Sequence, residues 1–202
     1  MSSEPTVFVV DDDDGVRKGL SLLLRSVGLN VEVFAGAQEF LEDCNTDRPG
    51  CLVLDVRMPG MSGLELQERL KEEHIDIPVI ILTGHGDVPM AVRVVQAGAV
   101  DFIEKPFREQ VLLDRIQQAL AVDARRREER TQRTALENRL TRLTPREREV
   151  LRLVVVGKHN KAIATELGVT VKTVEFHRSK IMEKTQADSV AELVRLVMET
   201  KG

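Results

Sequence analysis

Four consecutive aspartates, Asp11 to Asp14, carry the densest potential chemistry in this chain, together with Asp55, Thr83 and a Lys105 that precedes Pro106. Each has a plain local account. Asp13 or Asp14 can cap a following helix, Thr83 can close a strand, and Lys105 can be a solvated loop lysine. Brought together they would demand more. Several carboxylates in one place repel one another unless a cation sits among them, and an oxygen-only donor set favours a hard ion such as Mg²⁺. Cys44 and Cys51 have neither metal-ligand spacing nor a CxxC arrangement, so they read as ordinary part-buried reduced thiols.

The elements that must position these residues follow from the apolar pattern. Residues 6–10, 31–34, 51–54, 78–82 and 100–103 are short apolar runs that predict strands. Between them, residues 15–27, 37–44, 63–72 and 88–97 carry apolar side chains at three- and four-residue intervals, which predicts helices. The alternation is (βα)5, an α/β class with a doubly wound parallel sheet covered on both faces. Sites in such sheets form beyond the carboxyl ends of the strands. Asp11 to Asp14 follow the first strand, Asp55 ends the third, Thr83 follows the fourth and Lys105 follows the fifth. All fall on one rim.

The segments VVDDD at Val9 to Asp13, LDVRMPGMSG at Leu54 to Gly63, LTGHGD at Leu82 to Asp87 and DFIEKPF at Asp101 to Phe107 resemble the flavodoxin-like receiver domain of bacterial two-component response regulators. The match covers about residues 5–121, and TGHGD and EKPF look most like the FixJ-type subfamily. The resemblance implies that Asp55 accepts a phosphoryl group from a sensor histidine kinase. It implies that Asp11 and Asp12, with Asp55 and the backbone carbonyl of Arg57, hold Mg²⁺, with Mn²⁺ as a substitute ion. Thr83 and Lys105 would contact the phosphate, Thr83 and Phe102 would move as a coupled switch, and the Lys105–Pro106 bond would be cis. The residue types suit these roles. A carboxylate is a competent nucleophile toward phosphorus, and the transferred group needs a metal and a fixed cation to neutralise its charge. For Phe102 the plainer account is a sheet residue.

Composition narrows the function classes. Hydrophobic residues make up 42% and charged residues 31%, as in a globular chain with buried cores rather than a disordered one. Trp and Tyr are absent, which argues against aromatic platforms for single-stranded nucleic acid. Neither a membrane-length apolar run nor a secretory leader is visible, so a cytoplasmic, non-membrane protein is expected. Charge is unevenly divided: residues 1–120 hold 21 acidic and 11 basic residues, and the remainder 12 acidic and 18 basic. Only the second part is suited to a polyanion.

That second part begins with a charged stretch. From about Gln110 a helical pattern runs through Arg125, Arg126 and Arg127 without Pro or Gly before Pro145, and a helix over 110–140 would span roughly 45 Å. The arginine run reads as a solvated helix face. Leu136, Leu140 and Leu143 share one apolar face, but Glu129 and Arg133 interrupt it, so no sustained coiled coil is predicted. The expected domains are therefore a receiver over 1–121, a helical linker over 122–139 and an all-α four-helix domain over 140–202.

Thr144, Pro145 and Glu147 spell a capping box with Pro at the first helical position. A helix to about Gly157, a second from Asn160 to Leu167, a stop at Gly168 and a third from about Val171 to Lys184 form a helix-turn-helix pattern. LTPREREVL, NKAIATELGV, VKTVEFHRSKIMEK and AELVRL resemble the LuxR-type DNA-binding domain. The third helix would then lie in the major groove. With Val174, Ile181 and Met182 inward, Lys172, Glu175, Phe176, Ser179 and Glu183 face outward and can reach bases. Thr173, His177, Arg178 and Lys180 flank that face and suit phosphates, as do Asn160 and Lys161 near a helix start. Glu175 can accept from cytosine, or it can merely pair with Arg178.

The expectation is a response regulator, an activator in most of the resembled group, that dimerises on phosphorylation and binds duplex DNA with two half-sites, with RNA polymerase as a further partner. Two rival functions stand beside it. A phosphatase or mutase built on a nucleophilic Asp would carry an acid two residues after Asp55, where Arg57 stands, so no enzyme is expected. A DNA-binding regulator that uses its receiver only to dimerise would need no phosphate.

Overall fold

The computed structural model describes residues 4–45, 48–84 and 101–199. Strands β1 (Thr6–Val10), β2 (Asn30–Phe34), β3 (Gly50–Asp55), β4 (Val79–Thr83) and β5 (Asp101–Glu104) form one sheet in the order β2-β1-β3-β4-β5. Every pairing is parallel. This is the doubly wound, flavodoxin-like order. Helices α1 (Asp14–Ser26), α2 (Ala37–Asp43) and α3 (Gly63–Glu72) connect the strands. The expected helix over 88–97 and residues 85–87 of the LTGHGD segment lie outside the described residues.

Side chains alternate across the sheet, as a pleated strand requires. Phe8, Val10, Leu52, Leu54 and Ile81 point to one face and pack with Phe40, Leu66 and Leu70 of α2 and α3. Val7, Val9, Val53, Ile80 and Leu82 point to the other and pack with Leu20 and Leu24 of α1 and with Leu112, Ile116 and Ala119 of the next helix. Val9 sits beside Val33 of β2 and Val53 of β3, so β1 is an interior strand paired on both sides.

Two local devices aim the strand ends. Asp13 is the N-cap of α1, its carboxylate accepting from the amides of Gly15 and Val16 at 2.7 and 3.1 Å. Asp14 instead pairs with Arg17 and Lys18 in the first turn. After β3, Ser62 and Glu65 form a reciprocal capping box that starts α3 at Gly63. A Cβ on Gly63 would lie 2.2 Å from the carbonyl oxygen of Asp55, so only glycine lets α3 begin against the end of β3.

Helix α4 runs from Glu109 to Thr141. The chain divides into two compact units, residues 1–127 and 128–202, and α4 crosses from one to the other. The arginine run is a solvated face at the exposed Arg125, Arg126 and Arg130, but not at the half-buried Arg127. Arg126 pairs with Asp76, and Arg127 bonds Asp123 and the carbonyl of Arg48.

The second unit contains the four expected helices, α5 (Pro145–Val155), α6 (Asn160–Leu167), α7 (Val171–Thr185) and α8 (Val190–Glu199). Leu143, Val150, Val154, Ile163, Val174, Ile181 and Leu193 form its core. Thr144 and Glu147 make the capping box, and Gly168, at φ 64°, ends α6 in the left-handed conformation that glycine tolerates. Among the described residues, no helix is long and apolar enough to cross a membrane.

Candidate functional site

Parallel strands deliver Asp11, Asp55, Thr83 and Lys105 to the same edge of the sheet. The Lys105 ammonium donates to Asp11 Oδ2 and Asp55 Oδ1, both at 2.7 Å, across 94 and 50 positions of sequence. Asp11 is 1% exposed and Asp55 7%, so one cation offsets two nearly buried carboxylates. The second oxygen of each carboxylate is held by backbone. Asp11 Oδ1 accepts from the Asp13 amide at 2.9 Å, and Asp55 Oδ2 from the Arg57 amide at 2.6 Å. Burial alone would lower the Lys105 pKa, but its hydrogen bonds to Asp11 and Asp55 outweigh that and hold it above the ordinary lysine value.

Lys105 reaches the site because its amide donates to the Thr83 carbonyl at 2.7 Å, extending the β4–β5 ladder by one residue. The Lys105–Pro106 bond is cis, as the resemblance implied. Thr83 is buried at the end of β4. Phe102 lies beside Ile81 in β5, half-buried against the α2–α3 face. Asp12 is exposed next to Asp11. No sequence signal marks Arg17, whose guanidinium donates to the Asp11 carbonyl at 2.7 Å and steadies the loop that carries the carboxylates.

On the second unit, α7 presents Lys172, Glu175, Phe176, Ser179 and Glu183 as exposed residues, while Val174 and Ile181 are buried and Met182 half-buried. Phe176 is 59% exposed, unusual for a phenylalanine without a partner surface. The flanking cations are less free than their spacing suggested. Arg178 donates to Asn160 Oδ1 at 2.9 Å and Lys180 to Glu183 at 2.7 Å. The alternative pairing of Glu175 with Arg178 is not formed; Arg178 ties α7 to the start of α6 instead. His177 is half-buried against the Phe176 ring, Thr173 bonds the N-cap Thr170, and Lys161 is exposed.

The base of α7 has a partner the motif did not reveal. Lys184 donates to both oxygens of Glu147, at 2.9 and 2.7 Å, and Glu147 also completes the capping box. Burial pushes the Glu147 pKa up, but hydrogen bonds from Lys184 and Thr144 prevail and hold it below the ordinary glutamate value.

This pairing of units has known counterparts. Residues 7–117 match the response regulator receiver domain family, and residues 141–197 match the luxR family of bacterial regulatory proteins. The chain belongs to the response regulators. Nodulation protein W of Bradyrhizobium diazoefficiens is 47% identical over 201 residues, covering all of this chain and 88% of that protein. Transcriptional regulatory protein FixJ of the same organism is 43% identical over 200 residues, covering 98% of this chain and 97% of that protein. Among solved structures, response regulator StyR superposes with a TM-score of 0.88 at 52% identity, covering 98% of this chain and all of that one. As a FixJ-like transcriptional regulator, this response regulator has a LuxR-type DNA-binding unit, and its receiver implies a sensor kinase partner. The family is one of regulators, not of enzymes.

Receiver domains bind Mg²⁺ at their phosphorylation site. The donors here fit such an ion: Asp11, Asp12 and Asp55 offer hard oxygen ligands, and two of them are nearly buried charges that one ammonium must balance. Among the described residues, no three acidic, His or Cys side chains are placed together so as to hold a metal ion by themselves. The Lys105 ammonium lies between Asp11 and Asp55.

Proposed function

We propose that this response regulator accepts a phosphoryl group on Asp55 and responds by pairing two copies on DNA. The observation that carries this is the Lys105 ammonium, 2.7 Å from both Asp55 and Asp11 at the carboxyl ends of the strands. An Asp55 oxygen attacks the phosphorus of a phosphohistidine in the kinase. A new O–P bond forms, the N–P bond breaks, and the electron pair leaves on the imidazole. Lys105 then neutralises oxygens of the acyl phosphate. Mg²⁺, or Mn²⁺ in its place, would be held by Asp11, Asp12, Asp55 and the Arg57 carbonyl, and when bound it supplies charge neutralisation for the transferred group. Thr83 donates its hydroxyl to the phosphate, and Phe102 fills the space behind it as a coupled switch.

Activated receivers pair, and pairing brings two LuxR-type units to half-sites about one helical turn apart, roughly 34 Å. Tethering raises the local concentration of the second unit, so binding tightens without new base contacts. Lys172, Glu175, Phe176 and Ser179 read bases. Thr173, His177, Arg178, Lys180, Asn160 and Lys161 contact phosphates, for which Arg178 and Lys180 must leave their present partners. The protein acts in the cytoplasm as an activator and meets RNA polymerase at the promoter.

Incubation with acetyl phosphate and Mg²⁺, followed by intact mass, tests the acceptor. One added phosphoryl group, absent in Asp55→Asn, is the expected result. Equal uptake by Asp55→Asn would remove the assignment, and no uptake by the wild-type chain would favour a regulator that dimerises without phosphate.

A further inference from the structure

We propose that Asp123 and Arg127 form a clamp that fixes how α4 leaves the receiver, and that phosphorylation loses its effect on DNA binding when the clamp is broken. The second clause rests on the acceptor function proposed for Asp55.

The hydrophobic grip on α4 ends early. Leu112, Ile116 and Ala119 are fully buried under the sheet, and Leu120 is the last partly buried apolar residue against it. The unit nevertheless continues to Arg127. Two further turns are therefore held by polar groups. Asp123 is 2% exposed, and its Oδ2 accepts from the Gly50 amide at 2.9 Å. Arg127 Nε lies 2.9 and 2.8 Å from the two Asp123 oxygens, and Arg127 Nη2 donates to the Arg48 carbonyl at 2.7 Å. Arg48 is itself fixed, paired with Glu32 and stacked 5.4 Å from the Phe8 ring centroid.

Gly50 is the first residue of β3, and Asp55 is the last. A Cβ at Gly50 would lie 2.1 Å from the Thr6 carbonyl oxygen, so its backbone is placed by contact with β1 and cannot drift. The clamp thus ties the exit of α4 to the opposite end of the acceptor strand. Buried ion pairs contribute little net stability compared with apolar residues of similar size. What this one supplies is a single orientation. A helix end released from tertiary contacts is marginal by itself, because isolated turns cost more order than their hydrogen bonds return. The covalent route from receiver to DNA-binding unit passes through α4 at Arg127–Glu128. A loose exit would leave the second DNA-binding unit of a receiver pair without a set direction, which dilutes it at its half-site and removes the gain from pairing.

The test uses the full chain with Asp123→Ala and Asp123→Leu, the latter refilling the space with an apolar side chain. Amide exchange by mass spectrometry is followed over 120–130 and over β1 and β4. Intact mass after acetyl phosphate is measured alongside affinity, with and without phosphorylation, for a duplex selected by the wild-type chain from a random pool. In Asp123→Ala, exchange over 120–130 should rise by about ten-fold or more, with β1 and β4 unchanged. Both variants should take up phosphate as wild type does, and the ratio of phosphorylated to unphosphorylated affinity should fall toward one. Wild-type exchange over 120–130 in Asp123→Ala, uniformly faster exchange across the receiver, or full stimulation in Asp123→Leu would each overturn the clamp. If the wild-type chain takes up no phosphate, the acceptor assignment fails, and exchange over 120–130 still decides whether the clamp holds α4.

Discussion

Replacing Lys105 with methionine keeps most of the side-chain volume and removes the ammonium that bonds both Asp11 and Asp55. Leaving a fully buried charge without its partner costs about 3–5 kcal/mol. Here the Lys105 side chain is 25% exposed and that of Asp55 10%, so water offsets part of the loss and about 2 kcal/mol is expected. That corresponds to roughly thirty-fold faster exchange of the most protected amides of β1 and β3. Exchange is the suitable assay, because two units need not unfold together and a single melting temperature would mix them. The Lys105 pKa is raised, so its contribution is fully present below the ordinary lysine value of 10.5 and is lost as pH climbs through the higher folded value. The difference between wild type and variant should therefore stay level from neutral pH to about 10 and shrink above it. Saturating Mg²⁺ should recover a larger share of stability in the variant than it adds to wild type, since a divalent ion can balance the same two carboxylates. Unchanged exchange in Lys105→Met, with or without Mg²⁺, would refute the view that this lysine balances the acidic rim.

Glu147 has a depressed pKa, so its stabilisation of the DNA-binding unit is present above the ordinary glutamate value of 4.5 and lost as pH falls through the folded value. Exchange of the α5 and α7 amides should accelerate in acid in wild type and much less so in Glu147→Gln. Gly63→Ala must displace the carbonyl of Asp55, and its phosphoryl uptake should be about ten-fold slower or worse; wild-type kinetics by intact mass would show that the strand end adapts. For DNA, Lys172→Ala should flatten the log-log salt dependence by about 0.9 if it meets a phosphate and leave it unchanged if it reads bases, as proposed. Phe176→Ala should change sequence preference at constant slope, and a changed slope would place Phe176 outside the base-reading face.

Elements with strong local signals were legible in the sequence. The capping box at Thr144, followed by Pro145, and the glycine stop at Gly168 depend on residues a few positions apart, and the apolar pattern located all five strands to within a residue or two. The rim was legible because parallel topology converts strand ends into neighbours. Long-range polar partnerships were not. Asp123 lies 73 positions from Gly50 and sits in a charged stretch that looks uniformly solvated, so nothing local marks it as buried. Glu147 was recognisable as a cap, but its bond to Lys184 spans 37 positions and depends on how α5 crosses α7. Helical spacing left Glu175 as a partner for Arg178, whereas packing of α6 against α7 offers Arg178 the Asn160 side-chain oxygen Oδ1.

The strand order also has a consequence for synthesis. Three adjacent strands, β2, β1 and β3, are all encoded before residue 56, so Asp11 and Asp55 can be in place while the chain is still emerging. The lysine that balances them follows β5, the last of the five strands in sequence and an edge strand that pairs with β4. A nascent or prematurely ended chain that stops before residue 105 therefore holds two carboxylates without their counter-ion. The acceptor site proposed here therefore gains its balancing lysine only when the edge strand docks.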